Sequence, residues 1–199
     1  MMKNNPQFVV FAGVNGAGKT SIYRKIFKED FPELGTRINP DEVIHSFQGN
    51  WKNTEDQIRS GKLCLKMQKD YFEQGISFHR ETTFSSREII KSIHKALNLD
   101  YEVTIYFVHL ESVDIAVERV AKRVREGGHG ISNQDVTRRF VRSVDNIVET
   151  AKNSPVNIYF YDNTGHSPMV VGQCRKGHCE SFVNLPWLEE IYKKIEQNI

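Results

Sequence analysis

The residues best suited to chemistry lie near the start of the chain. Gly13-Val14-Asn15-Gly16-Ala17-Gly18-Lys19-Thr20 matches G-x-x-x-x-G-K-[ST] without a mismatch, and Ser21 follows it. The spacing has a physical reason. Glycines let successive backbone N–H groups curl around a phosphate where any Cβ would intrude. A helix beginning at the same point turns its positive end toward the anion. Lys19 then supplies a charge to the β and γ oxygens, and the Thr20 hydroxyl is a magnesium ligand. A chance glycine-rich turn is the competing reading. The context opposes it, because the motif directly follows the apolar run Phe8 to Ala12 and precedes a helical pattern. Binding of a nucleoside triphosphate with magnesium is therefore expected.

Three further groups bear on what happens to that nucleotide. Asn39-Pro40-Asp41 closes a short extended piece, where the Asp41 carboxylate is placed to accept the proton of an attacking hydroxyl. Asp41 as a plain helix N-cap is an equally good reading of the spacing. Glu81-Thr82-Thr83 ends a third strand. There Glu81 is placed to hold magnesium through water or to bind an acceptor, and the threonines to bond a substrate; a surface loop is the bland alternative. The third group is arginine-rich. Arg119, Arg123 and Arg125 on one helix, and Arg138, Arg139 and Arg142 on the next, flank Gly127-Gly128-His129-Gly130. Two solvated faces paired with Glu118, Glu126 and Asp135 account for Lys122 and Arg142. They account less well for five arginines nearest a glycine hinge, which reads better as a lid over a triphosphate.

Other nucleotide-protein classes fit poorly. No [NT]-K-x-D element for guanine is present, and no strand ends in four apolar residues followed by Asp. Cys174, His178, Cys179 and the upstream His166 fit no standard zinc spacing, and a hairpin turn accounts for them. His129 in the glycine turn suits a phosphate contact and a helix cap equally.

Elements must bring these groups together. Strands are expected at Phe8–Ala12, around Arg37–Asn39, at Ile76–His79, Glu102–His109 and Val156–Tyr161. Helices are expected from about Lys19 to Lys28, from Asp41, and from an Asn53 or Thr54 cap to Gly75. Three more run from a Ser85-x-x-Glu88 capping box to about Asn98, from Ser112 to Glu126, and from Ser132-x-x-Asp135 to about Lys152. That alternation predicts an α/β fold of the P-loop NTPase type, a five-stranded, mainly parallel sheet flanked by helices. Met169–Cys174 and Cys179–Val183 read as an antiparallel hairpin. A last helix after Pro186 packs Trp187, Ile191 and Ile195 on the body. One domain over 1–199 is expected, with a helical lid at about 119–142 and the hairpin and helix at about 167–199. In such sheets ligands collect at the C-terminal ends of the strands, where the polar groups above fall.

Composition sets the frame. The chain has 199 residues, with 39% hydrophobic and 26% charged, which suits a globular protein with a real core and not a disordered one. Its 27 basic and 25 acidic residues leave +2, too little to argue for a nucleic-acid-coating or membrane-surface protein. Three sparse cysteines oppose a disulfide framework. The polar opening and the short apolar run after it cannot serve as a signal segment, so a cytoplasmic protein is expected.

The ordered set resembles the zeta-toxin family of P-loop kinases, and through it adenylate-kinase-like phosphotransferases. The matching residues are Gly13–Thr20, Asn39-Pro40-Asp41, Glu81-Thr82-Thr83, Val117-Glu118-Arg119, Arg123-Val124-Arg125-Glu126-Gly127-Gly128-His129, Arg138-Arg139-Phe140 and Tyr161-Asp162-Asn163-Thr164-Gly165. The resemblance implies an ATP- and Mg2+-dependent kinase acting on a small-molecule hydroxyl. In zeta toxins the acceptor is a UDP-linked N-acetylhexosamine, and an antitoxin is the partner protein. Asp41 would be the general base; Lys19, Arg123 and Arg139 would stabilise the transferred phosphate. Arg119 and Arg125 would join the phosphate loop on the nucleotide, and Asn39, Glu81, Thr82 and Thr83 would hold the acceptor. The family's toxins often read Glu-Gly-Thr with an arginine soon after, whereas here the next arginine is Arg87, displaced into the following helix. Two rivals remain: a polynucleotide or RNA-end kinase, which would want a broader basic groove, and a nucleotide-dependent switch that transfers nothing.

Overall fold

The computed structural model describes residues 5–24, 34–50, 52–128 and 130–197. Residues 25–28 of the first expected helix, and His129, lie outside that set. Strand β1 (Gln7–Ala12) is the apolar run that the sequence marks as buried on both faces. Its alternate residues feed separate cores. Phe8, Val10 and Ala12 join a large cluster on one face of the sheet, and Val9 and Phe11 join a second cluster on the other. The elements that follow are α1 (Lys19–Ile22), β2 (Thr36–Ile38), α2 (Pro40–Ser46), α3 (Thr54–Gln74), β3 (Phe78–Thr82), α4 (Arg87–Asn98) and β4 (Glu102–His109). Beyond them come α5 (Val113–Arg125), α6 (Asn133–Asn153), β5 (Asn157–Asp162), β6 (Met169–Arg175), β7 (His178–Ser181) and α7 (Pro186–Glu196).

The sheet runs β2-β3-β1-β4-β5-β6-β7. Its first five strands are parallel, so Ala12, Ile38, Thr82, His109 and Asp162 end on one edge. The expected hairpin forms, but it is not a separate appendage. β6 pairs antiparallel with β5 and carries the sheet to seven strands. The turn between β6 and β7 has two residues with positive φ, Lys176 at 50° and Gly177 at 86°, the geometry that matches strand twist in a tight hairpin. Cys174 and Cys179 face each other across it, and both are free thiols.

Two expected boundaries move. β3 starts two residues later than its apolar signal and continues through Arg80 and Glu81. A strand can run through charges when each is paired: Arg80 donates to Gln68 at 2.6 Å and Glu88 at 3.2 Å, and Glu81 accepts from Thr20 at 2.8 Å. The same pairing dissolves the expected capping box at α4. Glu88 is drawn to Arg80 and to the Ser92 hydroxyl at 2.7 Å, Ser85 bonds Thr83 at 2.8 Å, and the helix starts after Ser86 without a side-chain cap. The Ser132 cap does form, accepting from the Asp135 amide at 3.1 Å. Among the described residues no helix is long and apolar enough to cross a membrane.

At the end of β4 the His109 ring lies 4.8 Å from Phe140 of α6 and 4.6 Å from Trp187 of α7. Trp187 also donates to Asp162 at 3.1 Å, so the last helix braces the site edge of β4 and β5. Burial pushes His109 down to about 4, against the opposing pull of Asp162 and Glu190. Between its unfolded value near 6.5 and that point, the unfolded chain holds a proton that the folded chain does not. Stability should therefore fall as pH drops below about 6.5, by an amount approaching ~3 kcal/mol near pH 4. Urea unfolding of wild type and His109→Phe across this range should show the slope reduced in the variant. An unchanged slope would assign the acid sensitivity elsewhere.

Candidate active site

The phosphate loop leaves β1 at its C-terminal end and is shaped by its neighbours as much as by its own glycines. Gly16 has φ 85°, and a Cβ there would sit 2.6 Å from the Ala116 carbonyl of α5. Gly18 has φ 92°, and its Cβ would meet the Asn163 side chain at 2.2 Å. Only glycine serves at both places. Asn163, just past β5, donates to the Ala17 carbonyl at 2.7 Å and so pins the loop from the neighbouring strand.

Lys19 folds back on this loop, donating to the carbonyls of Gly13 at 2.8 Å and Val14 at 3.1 Å. Burial pushes its ammonium down to about 8, with Glu81 and Asp41 opposing and Arg123 and Arg139 reinforcing the shift. All four of those charged groups therefore act on one amine at the mouth of the loop. A phosphate added there would favour the protonated form. Nucleotide binding just above pH 8 should therefore take up a proton, and affinity should fall by up to about tenfold per pH unit. Calorimetry in buffers of different ionisation enthalpy reads the uptake directly, and Lys19→Met should abolish it. Binding without proton uptake would separate Lys19 from the phosphates.

Thr20 of the phosphate loop and Glu81 of β3, predicted as separate sites, meet at 2.8 Å. Their oxygens are hard donors of the kind magnesium takes, one hydroxyl and one carboxylate. Arg37, which the sequence marks only as part of a strand, holds the second Glu81 oxygen and also pairs with Glu42. Its only sequence signal is a charge within a three-residue parallel strand.

Asn39, not Asp41, caps α2. Its Oδ1 accepts from the Asp41 amide at 3.0 Å, with Pro40 in the first turn. The N-cap reading of Asp41 is thereby overturned, and its carboxylate lies exposed in the first helical turn, within electrostatic reach of Lys19. Beside it, α2 and α3 border an open cleft of about 500 Å³ whose lining includes Arg37, Asn39, Leu63, Lys66, Met67 and Asp70. That is within the usual range for small-molecule pockets. The two threonines serve the local loop: Thr82 accepts from the Phe84 amide at 3.1 Å, and Thr83 bonds Ser85. Phe84 is fully buried at φ 58°, a left-handed conformation costing about 1–3 kcal/mol, and its carbonyl is held by Asn146 at 2.8 Å.

The arginines divide. Arg139 on α6 donates to Asn15 of the phosphate loop at 3.1 Å. Arg119 donates to the Thr164 carbonyl at 3.1 Å, and with Arg125 it lines a second cavity of about 340 Å³ beside α5. Arg123 lies at the end of α5 against Gly128. Arg138 is taken by Asp135 on the surface, and Arg142 is exposed. Ser21 is exposed in the first turn of α1.

The sequence profile of the family described as Zeta toxin matches residues 1–176. The chain belongs to the zeta toxin family. An uncharacterized protein of Haemophilus influenzae is 27% identical over 140 residues, 70% of this chain and 95% of that one. Among solved structures, a chain of the AvrRxo1-ORF1:AvrRxo1-ORF2 complex with sulphate ions superposes with a TM-score of 0.73 at 19% identity over 96% of this chain. The present chain spans 64% of the length of that one. A chain of the PezAT chromosomal toxin-antitoxin system of Streptococcus pneumoniae gives 0.60 at 19% identity, covering 80% of this chain and 68% of its own. The shared fold is that of the P-loop kinases. In this zeta toxin family member Arg87 pairs with Glu149 of α6 on an exposed surface.

Proposed function

We propose that the protein is a magnesium- and ATP-dependent kinase that transfers the γ-phosphate to a hydroxyl of a small, nucleotide-linked acceptor, with UDP-N-acetylglucosamine as the first candidate. One observation carries the reading. Lys19 bonded to the Gly13 carbonyl, Glu81 bonded to Thr20 and Arg139 bonded to Asn15 meet at one phosphate loop, with Asp41 and Arg123 within electrostatic reach of Lys19 and a cleft of acceptor size alongside. A switch needs the loop and the metal ligands, but not an exposed carboxylate within electrostatic reach of Lys19 on the helix that borders such a cleft.

The roles follow from position. Backbone amides of residues 13–20 and Lys19 hold the phosphates. Thr20, with Glu81 behind it, holds magnesium, which when bound neutralises charge on the β- and γ-oxygens. Asp41 accepts the hydroxyl proton as the acceptor attacks. Arg123 and Arg139, on the two helices around the glycine turn, close over the transferring group as a lid. Arg119 and Arg125 bound the nucleotide on the side of Thr164. Asn39, Glu81, Thr82 and Thr83 border the acceptor. The AvrRxo1 complex has also been solved with ATP, which supports ATP as the donor. The complexes among the structural relatives, one a toxin-antitoxin system, support an antitoxin-type protein partner.

The test is ATP consumption by the purified protein against UDP-sugars, nucleosides and RNA ends. Turnover stimulated by a UDP-sugar supports kinase and substrate class together. Turnover with RNA ends alone keeps the mechanism and replaces the acceptor. ATP binding with no acceptor-dependent turnover anywhere would discard the kinase in favour of a switch.

A further inference from the structure

Arg37 sits in β2 in parallel register with His79, so Glu81 is two residues further along β3 on the same face. Its side chain is only 13% exposed. One guanidinium nitrogen pairs with Glu81 and the other with Glu42, and the plane lies 4.3 Å from the Tyr23 ring centroid. The remaining donor, Nε, is buried without a hydrogen-bond partner. A strand end needs no such arrangement. An apolar side chain would staple β2 to β3 without desolvating a cation or leaving a donor unsatisfied. What Arg37 does that no apolar residue can do is fix both the place and the orientation of the Glu81 carboxylate, whose other oxygen is bonded to Thr20 at 2.8 Å.

We propose that Arg37 is a positioning residue for the magnesium that accompanies the nucleotide: it anchors one Glu81 oxygen so that the other faces the Thr20 hydroxyl. This rests on the nucleotide–magnesium reading of the site and extends it to a residue that does not itself touch the ion. Partners that orient a metal-bound carboxylate typically contribute 10–100-fold to metal affinity. A lysine cannot reproduce the effect, because one ammonium point charge does not hold two carboxylates in a planar fork.

The experiment is binding of a fluorescent ADP to the full chain, titrated with magnesium and repeated without metal. The proteins are wild type, Arg37→Met, Arg37→Lys, Glu81→Gln and the Arg37→Met/Glu81→Gln double variant. Arg37→Met should raise the magnesium concentration for half-maximal effect by about 10-fold or more, with metal-free binding retained. Arg37→Lys should shift the same way. The double variant should be no worse than Glu81→Gln alone, since Arg37 acts only through Glu81. If Arg37→Met also loses metal-free binding, through misfolding, Arg37→Lys decides by the same criterion. Unaltered magnesium dependence in the folded variant, or effects of Arg37→Met and Glu81→Gln that add, would overturn the proposal alone. Wild-type binding indifferent to magnesium would overturn the underlying reading and the proposal with it.

Discussion

Asp41→Asn is expected to lower acceptor-dependent turnover by about 10²–10⁴-fold, the usual worth of a positioned general base, while ATP still binds. The variant is a clean one because the cap of α2 belongs to Asn39, whose bond to the Asp41 backbone amide is unaffected by the side-chain change. Loss of the acidic group from the first turn of the helix should itself cost ~0.3–1 kcal/mol of stability. A second readout comes from the charge itself. Asp41 raises the Lys19 pKa, so its removal should carry that amine further below 8. The pH above which nucleotide affinity declines should move down with it. Single-turnover kinetics would separate the effects, with the chemical step slowed and nucleotide binding intact at neutral pH. Turnover undiminished in Asp41→Asn would remove Asp41 from the chemistry and leave the proton to another acceptor.

Local sequence made much of this legible, and the physics explains where it stopped. The phosphate loop is encoded within a few consecutive residues, so its place after β1 follows from the sequence. The strand Glu102–His109 and the Ser132 cap also rest on neighbours along the chain, and both fall where expected. What the sequence hides is pairing across it. Glu81 is drawn into β3 by Arg37 and Thr20, each far away along the chain, and Glu88 leaves its capping box for Arg80. Asn163 acts through a contact with the phosphate loop that no periodicity announces, and the spacing that marks Trp187 as packed on the body does not announce its bond to Asp162 or its contact with His109. The polar run Asp162-Asn163-Thr164 at a strand's C-terminal end was the available signal for Asn163, because that edge of a parallel sheet is where ligands bind.

Arg139→Ala is expected to cost about 10³-fold or more in kcat, toward the range of arginines that stabilise a transferring phosphoryl group. The KM for ATP should change far less. Arg139 is hydrogen-bonded to the phosphate loop at Asn15, and its helix neighbour Phe140 packs on His109 at the end of β4. Its backbone is therefore set by the core, while its guanidinium, resting on an amide oxygen, can exchange that bond for a phosphate oxygen. Arg139→Lys should rescue little, since two oxygens of one phosphate match a planar fork and not a point charge. Asn15→Ala should leave kcat near wild type, because the Asn15 bond would be exchanged for phosphate in the reacting complex. Arg123→Ala distinguishes the arrangements of the lid. If Arg123 and Arg139 clamp the same group from α5 and α6, the double variant should lose less than the product of the single losses. A variant Arg139→Ala that weakens ATP binding without slowing the chemical step would make Arg139 a ground-state ligand, and the pair of helices a nucleotide clasp rather than a catalytic lid.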